Sequence, residues 1–478
     1  MKGAALPIET AQASVTVLAV DMATGVTHDS LRRTLRKRHV EMIAIGGIIG
    51  AGLFVGSSAS IAQIGPAVVL SYAAAGLIVL LVMRMLGEMA MAIPGVQSFP
   101  DFARIGLGRW AGFMSGWLYW YFWVVLVAIE AMAGARIVHL WMPALEIWQI
   151  GMALTAVLTG VNLLSTRSYG EIEFWLSSIK VAAILAFIVV VASYVSGLSS
   201  PSGPTIANLT AHGGFMPNGP LSVLAGVTSV IFALVGAEIA TIAAAESAES
   251  QATIARMTTS VAARILIFYV LSILLVVAAV PWTVIQPGVS PFAVVLARIG
   301  IPGGALIMNI IVLVAVLSCL NSGIYVTSRV LYGLAAQGDA PRALANAGAA
   351  GIPRRAILIG SLFSFVALAT AIVSPDGAFA FLVNASGTIM LFLYLLLAIS
   401  QLLLRNRLEQ QSPDRLAIRM WLHPWGSLAT ITAIVGVLVA MAVTPALASQ
   451  FLASLVAIAI AGGAFLLVRK RTYDAPHT

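Results

Sequence analysis

The sequence predicts an all-α polytopic membrane protein with twelve transmembrane helices, and three observations carry that prediction. Of the 478 residues, 60% are apolar and 9% are charged, where a soluble chain is about a quarter charged; the mean hydropathy is +1.00. Twelve stretches come close to or exceed the ~20 mostly apolar residues that cross a bilayer. Lys and Arg gather at alternate ends of those stretches. Together these exclude a soluble enzyme with a polar shell, a disordered chain and a disulfide-stapled domain. Cys319 is the one cysteine, so neither an intrachain disulfide nor a Cys-based zinc or iron–sulfur site is expected. The six histidines are scattered without an HExxH pattern, and no metal or cofactor is expected.

The spans read 40–62, 66–92, 112–138, 147–165, 174–197, 222–247, 261–282, 303–334, 354–374, 379–404, 423–445 and 447–468. Residues 1–38 read as a disordered basic cytoplasmic tail, 39–404 as a ten-helix core, 405–422 as a cytoplasmic loop, 423–468 as helices 11 and 12, and 469–478 as a C-terminal cytoplasmic tail. With the N-terminus inside, the Arg32–Arg38 cluster, Arg104, Arg109, Arg167, Arg256, Arg264, Arg342, Arg354, Arg355, Arg405, Arg407, Arg415, Arg419 and Arg469–Arg471 all fall on the cytoplasmic side. The outside stretch 198–221 carries no Lys or Arg, and Arg298 is the main exception. The net charge of +8 is thus topology with both termini cytoplasmic, not a footprint for nucleic acid.

Two spans are interrupted alike. The first reads Gly46-Gly47-Ile48-Ile49-Gly50-Ala51-Gly52, and the sixth reads Phe232-Ala233-Leu234-Val235-Gly236-Ala237-Glu238. If ten helices form two repeats of five, spans one and six correspond, and the odd number inverts the second repeat in the membrane. Paired interruptions at matching places point to a transporter binding site between repeats. Unwound backbone is tolerated at this depth only where protein or a polar ligand satisfies it. A half-helix N-terminus presents N–H groups to a carboxylate, and a C-terminal end presents carbonyls to an ammonium group. The plainer alternative treats the glycines as small residues for close helix packing.

The chain also resembles a known family. RHVEMIAIGGIIGAGLFVGSS (38–58), GPAVVLSY (65–72), VMRMLGEMA (82–90), GRWAGFMSGWLYWYFWV (108–124), NLLSTRSYGEIEFWLSSIKVAAILAF (162–187), GGFMPNG (213–219), AEIATIAAAES (237–247), SCLNSGIYVTSRVLYGLAAQGDAP (318–341), SGTIMLFLYLLLAISQL (386–402) and RMWLHPW (419–425) are similar to segments of bacterial amino-acid permeases. These belong to the amino acid–polyamine–organocation superfamily, and the likeness is greatest to its 4-aminobutyrate (GABA) permease branch. The resemblance implies a leucine-transporter-like five-plus-five inverted-repeat fold in the inner membrane with discontinuous helices 1 and 6. It implies import of a small zwitterionic amino acid with protons by alternating access. Carried over by motif, Ile48, Gly50, Ala51 and Gly52 would receive the substrate carboxylate. Phe232, Ala233, Leu234 and Val235 would offer carbonyls to the amine, with the Phe232 ring covering the site. Ala51 and Leu234 stand where many α-amino-acid carriers have a hydroxyl and an aromatic residue, which is compatible with the GABA-like branch.

Ionisable groups at membrane depth are functional candidates by default. Lys180 could snorkel to the interface; the resemblance implies that its ammonium takes the place of a sodium ion in sodium-coupled relatives, making it a proton-coupling residue. Glu238, just after the second break, could cap freed N–H groups or respond to protonation. Glu130 is deep in span three, and Arg136, six residues on, suits one helix face poorly. Glu88 sits i,i+4 from Arg84, the spacing of an ion pair. Cys319, Asn321, Asn384 and Ser386 either bind helices together or line the substrate path. No GxxxxGK[ST] loop is present, so ATP is not an expected partner. A membrane-embedded enzyme would need converging nucleophile–base or metal groups, and a channel a repeated filter or charged ring; neither is visible. Permeases for proline, an aromatic or a basic amino acid stay open beside GABA, with Glu130 the group that a cationic substrate would use.

Overall fold

The computed structural model describes residues 49–93, 96, 98–164, 166–200, 203–236, 238, 264–348, 351–416 and 418–473. Among them every regular element is helical. In chain order the helices are α1 (Gly52–Ile64), α2 (Val68–Ala92), α3 (Phe99–Leu107), α4 (Arg109–Trp141), α5 (Ile147–Asn162), α6 (Thr166–Val195) and α7 (Gly219–Leu234). After these come α8 (Ile265–Ala279), α9 (Pro291–Arg298), α10 (Gly304–Ala336), α11 (Arg354–Ala369), α12 (Pro375–Gln411), α13 (Trp425–Val443) and α14 (Pro445–Tyr473). Eight are long and apolar enough to cross a membrane, and α1, α5, α7 and α8 are shorter apolar helices. The continuation of span six, with Glu246 and Glu249, lies outside the described residues, as do the tail 1–38 and Ile48.

Burial sorts centre from periphery. Some 83% of the apolar stretch of α4 is buried inside the protein, against 11% for α14, so α4 is the axis of the bundle and α14 lies on its outside. At 33 residues and ~1.5 Å per residue, α4 is about 50 Å long, well over the ~30 Å hydrocarbon thickness. Its most extensive partner is α10, and small residues set the approach. A Cβ on Gly323 would lie 2.8 Å from a Val127 methyl, and one on Gly116 would lie 2.5 Å from a Leu334 methyl. Without a hydrophobic drive between helices in lipid, such close backbone packing is what holds the bundle together.

Two boundaries differ from the sequence reading. The tenth span continues to Gln411, because Arg405, read as loop, keeps helical i,i+4 pairing with Glu409 at 2.7 Å. The last helix runs on to Tyr473, beyond the apolar run, since charge at the interface is no barrier to helix.

The Arg84–Glu88 pairing read from i,i+4 spacing does not form. Glu88 is buried and takes Arg405 Nη1 at 2.6 Å, Gln401 Nε2 at 2.8 Å and the Met420 N–H. Arg84 instead lies over the Trp421 ring at 5.1 Å and donates to the Arg419 carbonyl. Glu88 points into the bundle toward α12 and Arg84 outward to the interface, so burial overrides sequence proximity.

Candidate functional site

Among the described residues, α1 starts and α7 ends where the two interruptions are predicted. Ile49 and Gly50 are non-helical and lead into α1, whose first turns (Gly52–Gly56) are π-helical; such single-turn widenings recur at functional positions. Helix α7 ends at Leu234, Val235 is extended (φ −66°, ψ 146°) and Gly236 has φ 121°, a conformation that favours glycine. The breaks touch: a Cβ on Gly52 would lie 2.6 Å from Ala233 Cα.

Between them is a small buried cavity lined by Gly50, Gly52, Trp123, Leu126, Glu130, Phe232, Ala233, Val235 and Cys319. Five of the predicted binding residues therefore meet in one place. Ala51 and Leu234 stand just behind that lining, and both are fully buried. The Phe232 ring packs tilted on Phe122 at 6.3 Å and covers one side.

Glu130, a candidate for the substrate path and for the carboxylate that a cationic substrate would use, lies in this lining. Its carboxylate accepts the Ala51 N–H with both oxygens, each at 3.1 Å, and so occupies one of the donors expected for a substrate carboxylate. Arg136 does not pair with it; its guanidinium lies over the Phe379 ring at 5.5 Å. Cys319 Sγ donates to the Ile49 carbonyl at 3.2 Å, satisfying backbone that the break leaves free. A Cβ on Gly50 would fall 2.6 Å from that sulfur and 2.7 Å from Glu130 Oε1. Any larger residue there would have to displace Cys319 and Glu130.

Lys180 is fully buried on α6 and does not snorkel. Its ammonium lies 3.8 Å from Cys319 Sγ and 3.6 Å from Glu173 Oε1. Glu238 accepts the Gly236 N–H with both oxygens at 3.2 Å, closing the second break from within, and Tyr119 donates to it at 3.4 Å. Phe99 of α3 stacks on Tyr119 at 5.4 Å and meets Tyr394 edge-on at 6.5 Å, so aromatic rings seal the bundle beneath Glu238.

The remaining candidates do not reach the cavity. Asn321 accepts from Asn162 at 2.7 Å and ties α10 to α5. Asn384 accepts from Ser229 at 2.5 Å and ties α12 to α7. Ser386 is fully buried in α12 away from the lining. Glu130 on the lining and Glu173 beside Lys180 are buried carboxylates whose one signal in the sequence is a carboxylate at membrane depth.

A buried cavity between the start of α1 and the end of α7, in a bundle of apolar helices, suits a transporter binding site, and a membrane transporter is the class of protein this fold points to. The chain belongs to the amino acid permease family, whose model matches residues 39–472; the members of that family are permeases rather than enzymes. It is 47% identical over 446 residues to the gamma-aminobutyric acid permease of Bacillus subtilis, covering 93% of this chain and 95% of that protein. It is 46% identical over 418 residues to the gamma-aminobutyric acid permease of Escherichia coli, covering 86% and 89%. The aromatic amino acid transport protein AroP of Corynebacterium glutamicum is 37% identical over 456 residues, covering 94% and 97%. Among solved structures, a manganese transporter mutant from Eremococcus coleocola superposes with a TM-score of 0.57 at 14% identity, over 93% of this chain and 95% of that one, which is a likeness of fold alone.

Proposed function

We propose that this permease imports GABA, or a similar short amino acid, together with protons across the bacterial inner membrane. In this reading twelve spans, ten of them forming two inverted five-helix repeats, alternate access around the cavity, and both termini are cytoplasmic. The observation that carries it is the meeting of the two helix breaks at Gly52 and Ala233 around a cavity with few polar side chains. A zwitterion suits such a site, because backbone N–H groups of Gly50, Ala51 and Gly52 hold its carboxylate and carbonyls of residues 232–235 hold its ammonium. Identity of 46–47% to GABA permeases over most of the chain supports the substrate.

Substrate carboxylate and Glu130 compete for the Ala51 N–H. Two anions at one donor disfavour each other, and a proton brought in with the substrate removes the conflict. Lys180, in contact with Cys319 at the cavity wall, serves the coupling step, and Glu238 with Tyr119 closes the site on its other side. A basic amino acid is the second reading, favoured by the Glu130 carboxylate in the lining.

Labelled-GABA uptake into proteoliposomes under an inward proton gradient tests this, with proline, phenylalanine and lysine as competitors. Accumulation that a protonophore collapses is expected. Transport of an α-amino acid without transport of GABA would overturn the substrate assignment.

A further inference from the structure

Glu173, Ser177 and Lys180 recur at i, i+4 and i+7, which places them on one face of α6. That face meets α10 at Ser318 and Cys319, and Glu173, Ser177, Lys180 and Ser318 are all fully buried. The Glu173 carboxylate accepts Ser318 Oγ at 2.6 and 2.7 Å and Ser177 Oγ at 3.0 Å, and lies 3.6 Å from the Lys180 ammonium. From there Lys180 reaches Cys319 at 3.8 Å, and Cys319 reaches the Ile49 carbonyl at 3.2 Å. The polar line thus runs from a carboxylate outside the cavity to its wall.

We infer that Glu173 is a positioning residue for Lys180: it is the counter-ion that keeps the ammonium charged and aimed at the helix-1 break. A charge is held at this depth only with a partner and satisfied hydrogen bonds. Ser318 and Ser177 fix the carboxylate, and the carboxylate fixes the ammonium. The other titratable or charged groups that interact with the pair are Cys319 on α10 and Glu130 on α4; Tyr269 of α8 interacts in turn with Cys319, Glu130, Tyr72 and Arg264. Glu173 is in salt-bridge contact with Lys180. The inference rests on the proposal that Lys180 serves coupling, but the contact itself can be tested without it.

Cys319 is the chain's one thiol, so its alkylation by a membrane-permeant maleimide reports the charge on Lys180 whatever the substrate, since thiol reactivity follows nearby positive charge. Glu173→Gln is expected to displace the pH profile of alkylation by about one unit, and Glu173→Asp to restore it. In a Lys180→Ala background the same substitution is expected to add nothing further. An unchanged profile in Glu173→Gln, or effects of the two substitutions that simply add, overturns the proposal. If Glu173→Gln yields no folded protein, Ser318→Ala must displace the profile by removing the hydroxyl contacts at constant charge, and an unchanged profile there overturns it equally. Gradient-driven uptake of labelled GABA by Lys180→Ala is read in parallel. Full accumulation there defeats the coupling role and leaves the Glu173–Lys180 contact standing.

Discussion

Glu130 holds the Ala51 N–H with both carboxylate oxygens at 3.1 Å across 79 positions of sequence. The side chain of one helix therefore occupies the backbone donor at the break of another. Glu130→Gln keeps an acceptor at that place and removes the charge. Gradient-driven accumulation is expected to fall about tenfold or more, with a flattened pH dependence, as for loss of a group that takes part in proton transfer. Initial rates of labelled-GABA uptake between pH 5 and 8 check this.

Gly52→Ala places a methyl carbon 2.6 Å from the Ala233 backbone, which cannot rotate out of the way. Overpacking of this kind costs about 1–3 kcal/mol and forces the two breaks apart, so uptake is expected to be lost. Gly436→Ala, with nothing within 4 Å of the new methyl, is the matched control and leaves uptake unchanged. Thermal unfolding in detergent beside uptake in liposomes separates the two outcomes.

Lys180→Ala removes the buried ammonium at the cavity wall. Accumulation against a gradient is expected to disappear, while counterflow of labelled against unlabelled substrate, which needs no net proton movement, survives at reduced rate. Unchanged accumulation would remove Lys180 from the coupling step.

Arg405→Ala strands the Glu88 carboxylate among Gln401 and the Met420 N–H. Breaking a buried pair from one side costs about 3–5 kcal/mol, so a large drop in thermal stability is expected. Arg84→Ala, at a half-buried position with one backbone acceptor and the Trp421 ring as partners, is expected to cost about 1 kcal/mol. The ordering of the two melting temperatures is the measurement; equal shifts would contradict the pairing.

The glycine-rich stretch at Gly50 and Gly52 and the Val235-Gly236 step leave a local signature in the sequence, and the family resemblance added the individual binding positions, of which Gly50, Gly52, Phe232, Ala233 and Val235 line the cavity. The helices were legible for the same reason, as the apolar runs around Val68–Ala92, Gly304–Ala336 and Trp425–Val443 show. Partners were not legible. The i,i+4 spacing offered Arg84 to Glu88, and a residue 317 positions away took it. Asn321 and Asn384 looked as good for the path as Cys319, yet each bonds across a helix interface.

Sequence alone determined that this chain is a bundle of membrane helices with two weak points in its backbone, because hydropathy and glycine content act over a single turn or a single span. Tertiary structure alone decided what meets those weak points: Glu130 and Cys319 at the first, Glu238 and Tyr119 at the second, and Glu173 on Lys180. The contacts of Glu130 with Ala51, Cys319 with Ile49 and Tyr119 with Glu238 join segments far apart in sequence, and in a medium without water a buried charge settles wherever packing brings the donors that can satisfy it.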